Sequence, residues 1–230
     1  LRDTIDAANY KDYVLPVMFV KYLSDSYTDA VEELSKQYSG IRLERQKKYL
    51  PFMVAEGCSF YDLYQQRFAD NIGQLMNAAM RQIEADNNQQ LAGVLSAVDY
   101  NSENALGTRE HKNAILRDLL EDFEPLDLRP SAIEVKEGQV PADVIGDAYE
   151  YMIGQFASMA GKKAGSFYTP AAVSEIMARI VDVQPGERVY DPTCGSGSLL
   201  IKAAKKQNSK EVSIYGQEVN GSSVAMAKMN

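Results

Sequence analysis

The sequence has 230 residues, 45% apolar and 24% charged, with a formal net charge of −8. That length suits one large domain or two ordinary ones, and no apolar run nears the ~20 residues that a membrane span needs. The acidity argues against this chain alone gripping nucleic acid by broad phosphate attraction. Its two cysteines, Cys58 and Cys194, fit a reducing, cytoplasmic setting better than a disulfide framework.

The charge is uneven: residues 1–135 carry the whole −8, and residues 136–230 sum to zero. Two regions with different surfaces follow. Leu1-Arg2-Asp3-Thr4 opens no signal peptide, and a start without Met suggests trimming upstream. Residues 1–35 read as a helix, with Tyr10, Tyr13, Val14, Val17, Met18 and Tyr22 at helical spacing. So wide a stripe predicts burial on more than one side, and Pro16 predicts a kink or a helix start. Gly40 and Lys47-Lys48 read as a polar connection, and residues 51–57 as a turn.

Ser59 opens a second helix, with Phe60, Leu63, Tyr64, Phe68, Ile72, Leu75, Met76, Ala79 and Ile83 inward, ending at Asp86-Asn87-Asn88. Residues 96–107 read as loop. Residues 109–123 form another helix on Ile115, Leu116, Leu119, Leu120 and Phe123. His111, the only histidine, has no evident partner for general-base work and reads as structural or solvent-facing. Nothing here resembles a catalytic cluster, so this half reads as a packing or docking domain. Pro125, Pro130, Gly138 and Pro141 punctuate the boundary, placed between domains at 1–137 and 138–230.

Residues 143–160 are predicted helical, with Ile145, Ala148, Tyr149, Met152, Ile153 and Phe156 on one face. Lys162 and Lys163 follow between glycines and read as a solvated hinge in preference to a phosphate contact. After Phe167 and Tyr168, Thr169 caps a helix with Pro170 in its first turn, running to about residue 183. Residues 188–191 then form a strand, Gly195-Ser196-Gly197 a tight loop, and residues 198–206 a helix. Residues 212–219 form a second strand, and Ser222 starts another helix. The alternation predicts an α/β fold: a parallel sheet wound with helices, of which two strands are present.

A strand, a glycine loop and a helix start, with Asp191 at the strand's end, form a nucleotide-type cofactor pocket. Glycines let the backbone approach a ligand, and the helix N-terminus offers unpaired N–H groups. A dinucleotide loop needs a third glycine where Leu200 stands, and no phosphate-loop Lys follows. Glu218, at the predicted carboxyl end of the second strand, has the acceptor-only chemistry to take both hydroxyls of a ribose. Cys194 reads as a small filler, since a reactive thiolate would need a cationic neighbour.

Asp191-Pro192-Thr193-Cys194-Gly195-Ser196-Gly197 resembles the first motif of S-adenosylmethionine-dependent N6-adenine DNA methyltransferases, and Phe167-Tyr168-Thr169-Pro170 resembles the motif that precedes it. Leu1-Arg2-Asp3-Thr4-Ile5-Asp6, Tyr10-Lys11-Asp12-Tyr13-Val14-Leu15 and the stretch from Phe19 to Asp25 resemble the helical N-terminal domain of the modification subunit of type I restriction-modification systems. Gly146-Asp147-Ala148-Tyr149-Glu150-Tyr151 and Gly161-Lys162-Lys163-Ala164-Gly165 are similar to that family's bridge into its methyltransferase domain. The resemblance covers essentially the whole chain. It implies a helical domain followed by the start of a Rossmann-like methyltransferase domain.

By that resemblance the cofactor is S-adenosylmethionine. The loop, through Asp191, Thr193, Gly195, Ser196 and Gly197, takes its methionine end. Glu218 takes the ribose, and Phe167, Tyr168 and Thr169 close over the methionine side. The loop's amides and Asp191 would meet the cofactor's carboxylate and amine. The resemblance also implies DNA as substrate within a complex, with a specificity subunit, a restriction subunit and a second modification subunit as partners. The family's Asn-Pro-Pro-aromatic motif, which holds the flipped adenine, does not occur in this sequence. The chain is therefore expected to be an N-terminal piece of a longer methyltransferase, with no catalytic residue and no metal site of its own. A non-catalytic assembly or cofactor-binding module is the alternative.

Overall fold

The structure is a computed structural model and describes residues 7–137, 140–161, 165, 167–205 and 212–230. The readings placed on residues 1–6, Gly138, Lys162, Lys163, Ala164 and Lys206 lie outside these. The chain divides into two compact units, Leu1–Asp147 and Ala148–Asn230.

The first unit is helical. Helix α1 (Ala7–Gln37) contains Pro16, so no new helix starts there, and the proline withholds a donor from the Asp12 carbonyl. The broad apolar stripe does its expected work: Val14, Leu15, Val17, Met18, Val20 and Leu23 are all buried. The polar connection at Gly40 is instead a helix, α2 (Gly40–Lys47), with no buried residue and a Lys47–Glu44 ion pair on its surface. With only Ile41 and Leu43 as large apolar residues in eight, the segment is too short to show a readable repeat.

The single helix expected from Ser59 is two. Ser59 closes a capping box with Asp62 at the head of α3 (Phe60–Gln65), and α4 (Ile72–Asp86) follows a break. Phe68 falls in that break and is exposed, not inward. A short helix, α5 (Asn88–Leu91), follows α4, and another, α6 (Glu103–Leu106), interrupts the region 96–107 read as loop. That region also supplies core: Tyr100 and Leu106 are fully buried, as is Leu95 just before it, and the Tyr100 hydroxyl donates to the Tyr13 carbonyl at 2.8 Å. Helix α7 (Arg109–Phe123) matches its predicted bounds and its five inward residues. His111 is exposed in its first turn.

A buried polar knot joins α1 to the chain after α7. Lys21 pairs with Asp25 at 2.6 Å and donates to the Tyr61 hydroxyl at 2.9 Å. That hydroxyl donates to Asp25, which also accepts the Leu128 amide at 2.8 Å. Every member has a partner, which is the condition for a buried charge to be tolerable.

Helix α8 (Pro141–Ala160) runs across the division between the units. This division into compact units lies at 147/148, ten residues beyond the 137/138 domain boundary read from punctuation. In the second unit, α9 (Ala171–Val181) is followed by β1 (Arg188–Asp191), α10 (Ser198–Lys205), β2 (Ser213–Gly216) and α11 (Gly221–Met229). Pro170, not Thr169, is the residue before the first helical turn of α9, and its carbonyl accepts from Val173 and Ser174. The two strands pair in parallel, with Arg188 opposite Ser213 and Asp191 opposite Gly216. Helix α10 packs on α9 and on both strands. Ala178, Val183 and Ala203 form a small core against Val189 and Val212. This is the expected α/β arrangement: a parallel strand pair with its crossover helix.

Candidate functional site

The site is built where β1 ends. The register sets Asp191 beside Gly216 at the carboxyl edge of the sheet, where α/β folds place ligands. Gly195 and Gly197 then take φ +53° and +77°, a region that costs a side chain about 1–2 kcal/mol. A Cβ on Gly195 would also lie 3.1 Å from the Phe167 carbonyl oxygen. Glycine here serves two ends, the turn and a close approach.

Three successive loop amides draw the separate motifs together. Cys194 N–H donates to the Gln217 carbonyl at 3.0 Å, Gly195 N–H to a Glu218 carboxylate oxygen at 3.1 Å, and Ser196 N–H to the Phe167 carbonyl at 3.2 Å. The loop, the acid past β2 and the segment before α9 thus meet at one place, although 167 and 218 are far apart in sequence. The other oxygen of Glu218 accepts from Asn220 at 2.8 Å. Both oxygens are oriented by backbone, and each keeps a lone pair for a further donor.

The same bonds correct the expectation that the loop's own amides would meet a carboxylate. Thr193 N–H goes to Asp191 Oδ1 at 2.9 Å and Gly197 N–H to the Cys194 carbonyl at 2.8 Å, so residues 193–197 all spend their amides inside the chain. What stays available is the second oxygen of Asp191 and the first turn of α10, whose N–H groups have no i−4 carbonyl. Ser196 is likewise a brace. It is buried, its hydroxyl lies 3.1 Å from that of Ser198, and its carbonyl accepts from Asn230.

Phe167 is buried, so its ring anchors the segment while its carbonyl holds the loop. Tyr168 is half-buried with its hydroxyl against α8 at Gly154, where a Cβ would come within 3.2 Å of it. Thr169 is half-buried and Thr193 exposed.

Cys194 packs beneath the end of β2. A Cβ on Gly216 would meet its sulfur at 2.8 Å. Burial pushes the thiol pKa up, and the Asp191 and Glu218 carboxylates push it further the same way. No cation activates it, in keeping with a filler. Among the described residues no His, Cys, Asp or Glu cluster could hold a metal ion, and no helix is long and apolar enough to cross a membrane.

Sequence reasoning missed one group. Lys202 on α10 pairs with Glu150 of α8 at 2.7 Å and donates to Ser174 Oγ at 2.9 Å and the Ala171 carbonyl at 3.3 Å. Its one signal was a lysine set in the apolar run Leu199-Leu200-Ile201-Lys202-Ala203-Ala204.

A parallel strand pair, a glycine loop and an acid after the second strand define a Rossmann-like nucleotide-cofactor fold of the methyltransferase kind. The HsdM N-terminal domain model matches residues 1–123, and the N-6 DNA Methylase model matches residues 140–230. The chain belongs to the family of type I restriction-modification methylase subunits, entering it through the HsdM N-terminal domain. It is 29% identical to the methylase subunit of the type I restriction enzyme MpnII of Mycoplasma pneumoniae, over 100% of this chain and 47% of that protein. It is also 29% identical to the MjaVIII methylase subunit of Methanocaldococcus jannaschii, over 96% of this chain and 37% of that one. The crystal structure of a type I restriction-modification methyltransferase subunit from Streptococcus thermophilus superposes with a TM-score of 0.76 at 28% identity, covering 99% of this chain and 52% of that chain. The chain thus spans under half the length of the curated relatives it is compared with here.

Proposed function

We propose that this chain is the N-terminal portion of a site-specific DNA adenine-N6 methyltransferase subunit of a type I restriction-modification system, acting in the cytoplasm with S-adenosylmethionine as cofactor. The convergence of Phe167, Gln217 and Glu218 on three successive loop amides carries this reading. The donor set fits the cofactor. Asp191 keeps one oxygen for its amine, and the α10 first turn offers N–H groups to its carboxylate. Glu218 accepts the ribose hydroxyls on a carboxylate already fixed by Gly195 and Asn220. Tyr168, Thr169 and Thr193 border the methionine side, and Gly195 and Gly197 leave room for it. Phe167 and Ser196 hold the wall and the loop in place.

When bound, the cofactor supplies a sulfonium methyl that passes to the adenine N6, with the target base turned out of the duplex. This chain's part is to seat the donor. Two domains, 1–137 and 138–230, divide the work between assembly and cofactor binding; the gap between the two family matches supports that division. The partners are DNA held through the assembled complex, a specificity subunit, a restriction subunit and a second modification subunit. The acidity of residues 1–135 fits a complex in which another chain reads the DNA.

Calorimetric titration with S-adenosylmethionine tests the site. Replacing a charge-assisted acceptor costs about 1.5–3 kcal/mol, so Glu218→Ala should weaken binding at least tenfold. An unchanged affinity sinks the ribose assignment, and no uptake by the wild type sinks the cofactor reading in favour of an assembly module. In the complex with its specificity subunit, labelled methyl should appear on DNA adenine; label on protein or RNA alone counts against the activity.

A further inference from the structure

We propose that Lys202 is a positioning residue for the cofactor site: it bolts the first turn of α9, and with it the Phe167–Pro170 wall, to the helix that begins at the glycine loop. This rests on the cofactor reading above.

Lys202 Nζ forms an ion pair with Glu150 Oε1 of α8 at 2.7 Å and donates two hydrogen bonds to α9, to Ser174 Oγ at 2.9 Å and the Ala171 carbonyl at 3.3 Å. Both side chains of the ion pair are largely buried, 16% and 17% exposed. Ser174, fully buried, also donates to the Ala171 carbonyl at 3.1 Å, so the contacts close into a compact network. Helix stability alone does not choose this placement. A cation at the N-terminal turn of α9 opposes that helix's dipole, and Glu150 offsets the cost.

The wall is then fixed at both ends. Ser196 N–H holds the Phe167 carbonyl at 3.2 Å, and Lys202 holds Ala171 and Ser174. Tyr168, Thr169 and Pro170 lie between the two attachments, and Tyr168 fits against Gly154 of α8, the same helix that supplies Glu150. Without Lys202 the wall loses its polar attachment to α10 at the Ala171 end, while the hydrogen bond to Ser196, the buried Phe167 ring and the Tyr168 contact remain.

The test follows amide exchange at Ser196 and cofactor affinity in the intact protein. Lys202→Met should speed Ser196 exchange about tenfold and weaken S-adenosylmethionine binding by a similar factor, the loss expected for charge-assisted bonds. The exchanged pair Glu150→Lys with Lys202→Glu restores the ion pair but sets a carboxylate against the Ala171 carbonyl. It should recover thermal stability without recovering Ser196 protection or affinity. Ser174→Ala, which keeps the ion pair, should show a smaller rise in exchange and serves if Lys202→Met does not fold. Unchanged Ser196 protection in Lys202→Met, or in Ser174→Ala where that variant serves, overturns the proposal; so does full recovery by the exchanged pair. If the wild type takes up no S-adenosylmethionine, the cofactor reading falls, and the exchange measurements still decide whether Lys202 holds the wall to the loop.

Discussion

Three glycines with positive φ differ in what an added methyl would meet, and so separate backbone strain from loss of contact. Gly186 has φ +86° and open space around its Cβ position; Gly197 has φ +77° and Ala227 Cβ at 3.4 Å; Gly195 has φ +53° and the Phe167 carbonyl oxygen at 3.1 Å. Alanine in the left-handed region costs about 1–2 kcal/mol, and a less flexible unfolded chain returns about 0.4–1 kcal/mol. Gly186→Ala and Gly197→Ala should therefore each lose only about 0.5–1 kcal/mol. At Gly195 the new methyl pushes on a carbonyl that already accepts from Ser196. Losing that bond adds about 1 kcal/mol and displacement of buried backbone adds more, so Gly195→Ala should lose about 2–3 kcal/mol. Urea unfolding followed by far-ultraviolet circular dichroism gives the three values, and exchange at Ser196 shows where the damage lies. Equal losses in the three variants, or a larger loss at Gly197, would refute the account of the loop as clasped to Phe167.

Two further outcomes follow from the charge environment. With Cys58→Ser as background, Cys194 should alkylate more slowly than a free thiol near neutral pH, since burial and two carboxylates disfavour its thiolate; Glu218→Gln should speed the reaction, and no change in rate would remove Glu218 as a cause. In the helical unit, burial pushes the Glu84 carboxyl pKa up, but the amides of Gly93, Leu95 and Ser96 outweigh it and hold it below the ordinary value. A depressed folded-state pKa gives stability that is complete above the unfolded pKa and is lost as pH falls through the folded one. The stability gap between wild type and Glu84→Gln should therefore narrow between about pH 5 and pH 3, and a constant gap would exclude Glu84 as an acid-sensitive clasp.

The parts of the fold that showed in the sequence are those that carry a period. Helix α7 has five inward residues at regular spacing and was placed to the residue; β1 was placed equally well because Gly186 and the glycine loop bracket it. Helix α2 does not show in the sequence because its eight residues hold only two large apolar side chains, Ile41 and Leu43, too few to establish a repeat. The α3–α4 break was lost because Phe68 continues the apolar count while facing solvent. Tyr100, fully buried, sits in a polar stretch and is held by partners distant in sequence, Tyr13 and Asn77, and no local pattern records such a contact.

The site divides along the same line. Asp191, the two glycines and Glu218 were legible because a tight turn and a strand end each demand particular residue types. What was not legible is which atoms those residues spend on one another. Sequence suggests that glycine-loop amides face a ligand; the folded loop turns its five amides inward, to Asp191, Gln217, Glu218, Phe167 and Cys194. The groups left to meet the proposed cofactor are a carboxylate oxygen, a second carboxylate and a helix N-terminus. The site is thus organised before any ligand arrives. The cost of ordering the loop is met on folding rather than on binding, which is why a change at Gly195, remote from any ligand contact of its own amide, should be felt in affinity as well as in stability.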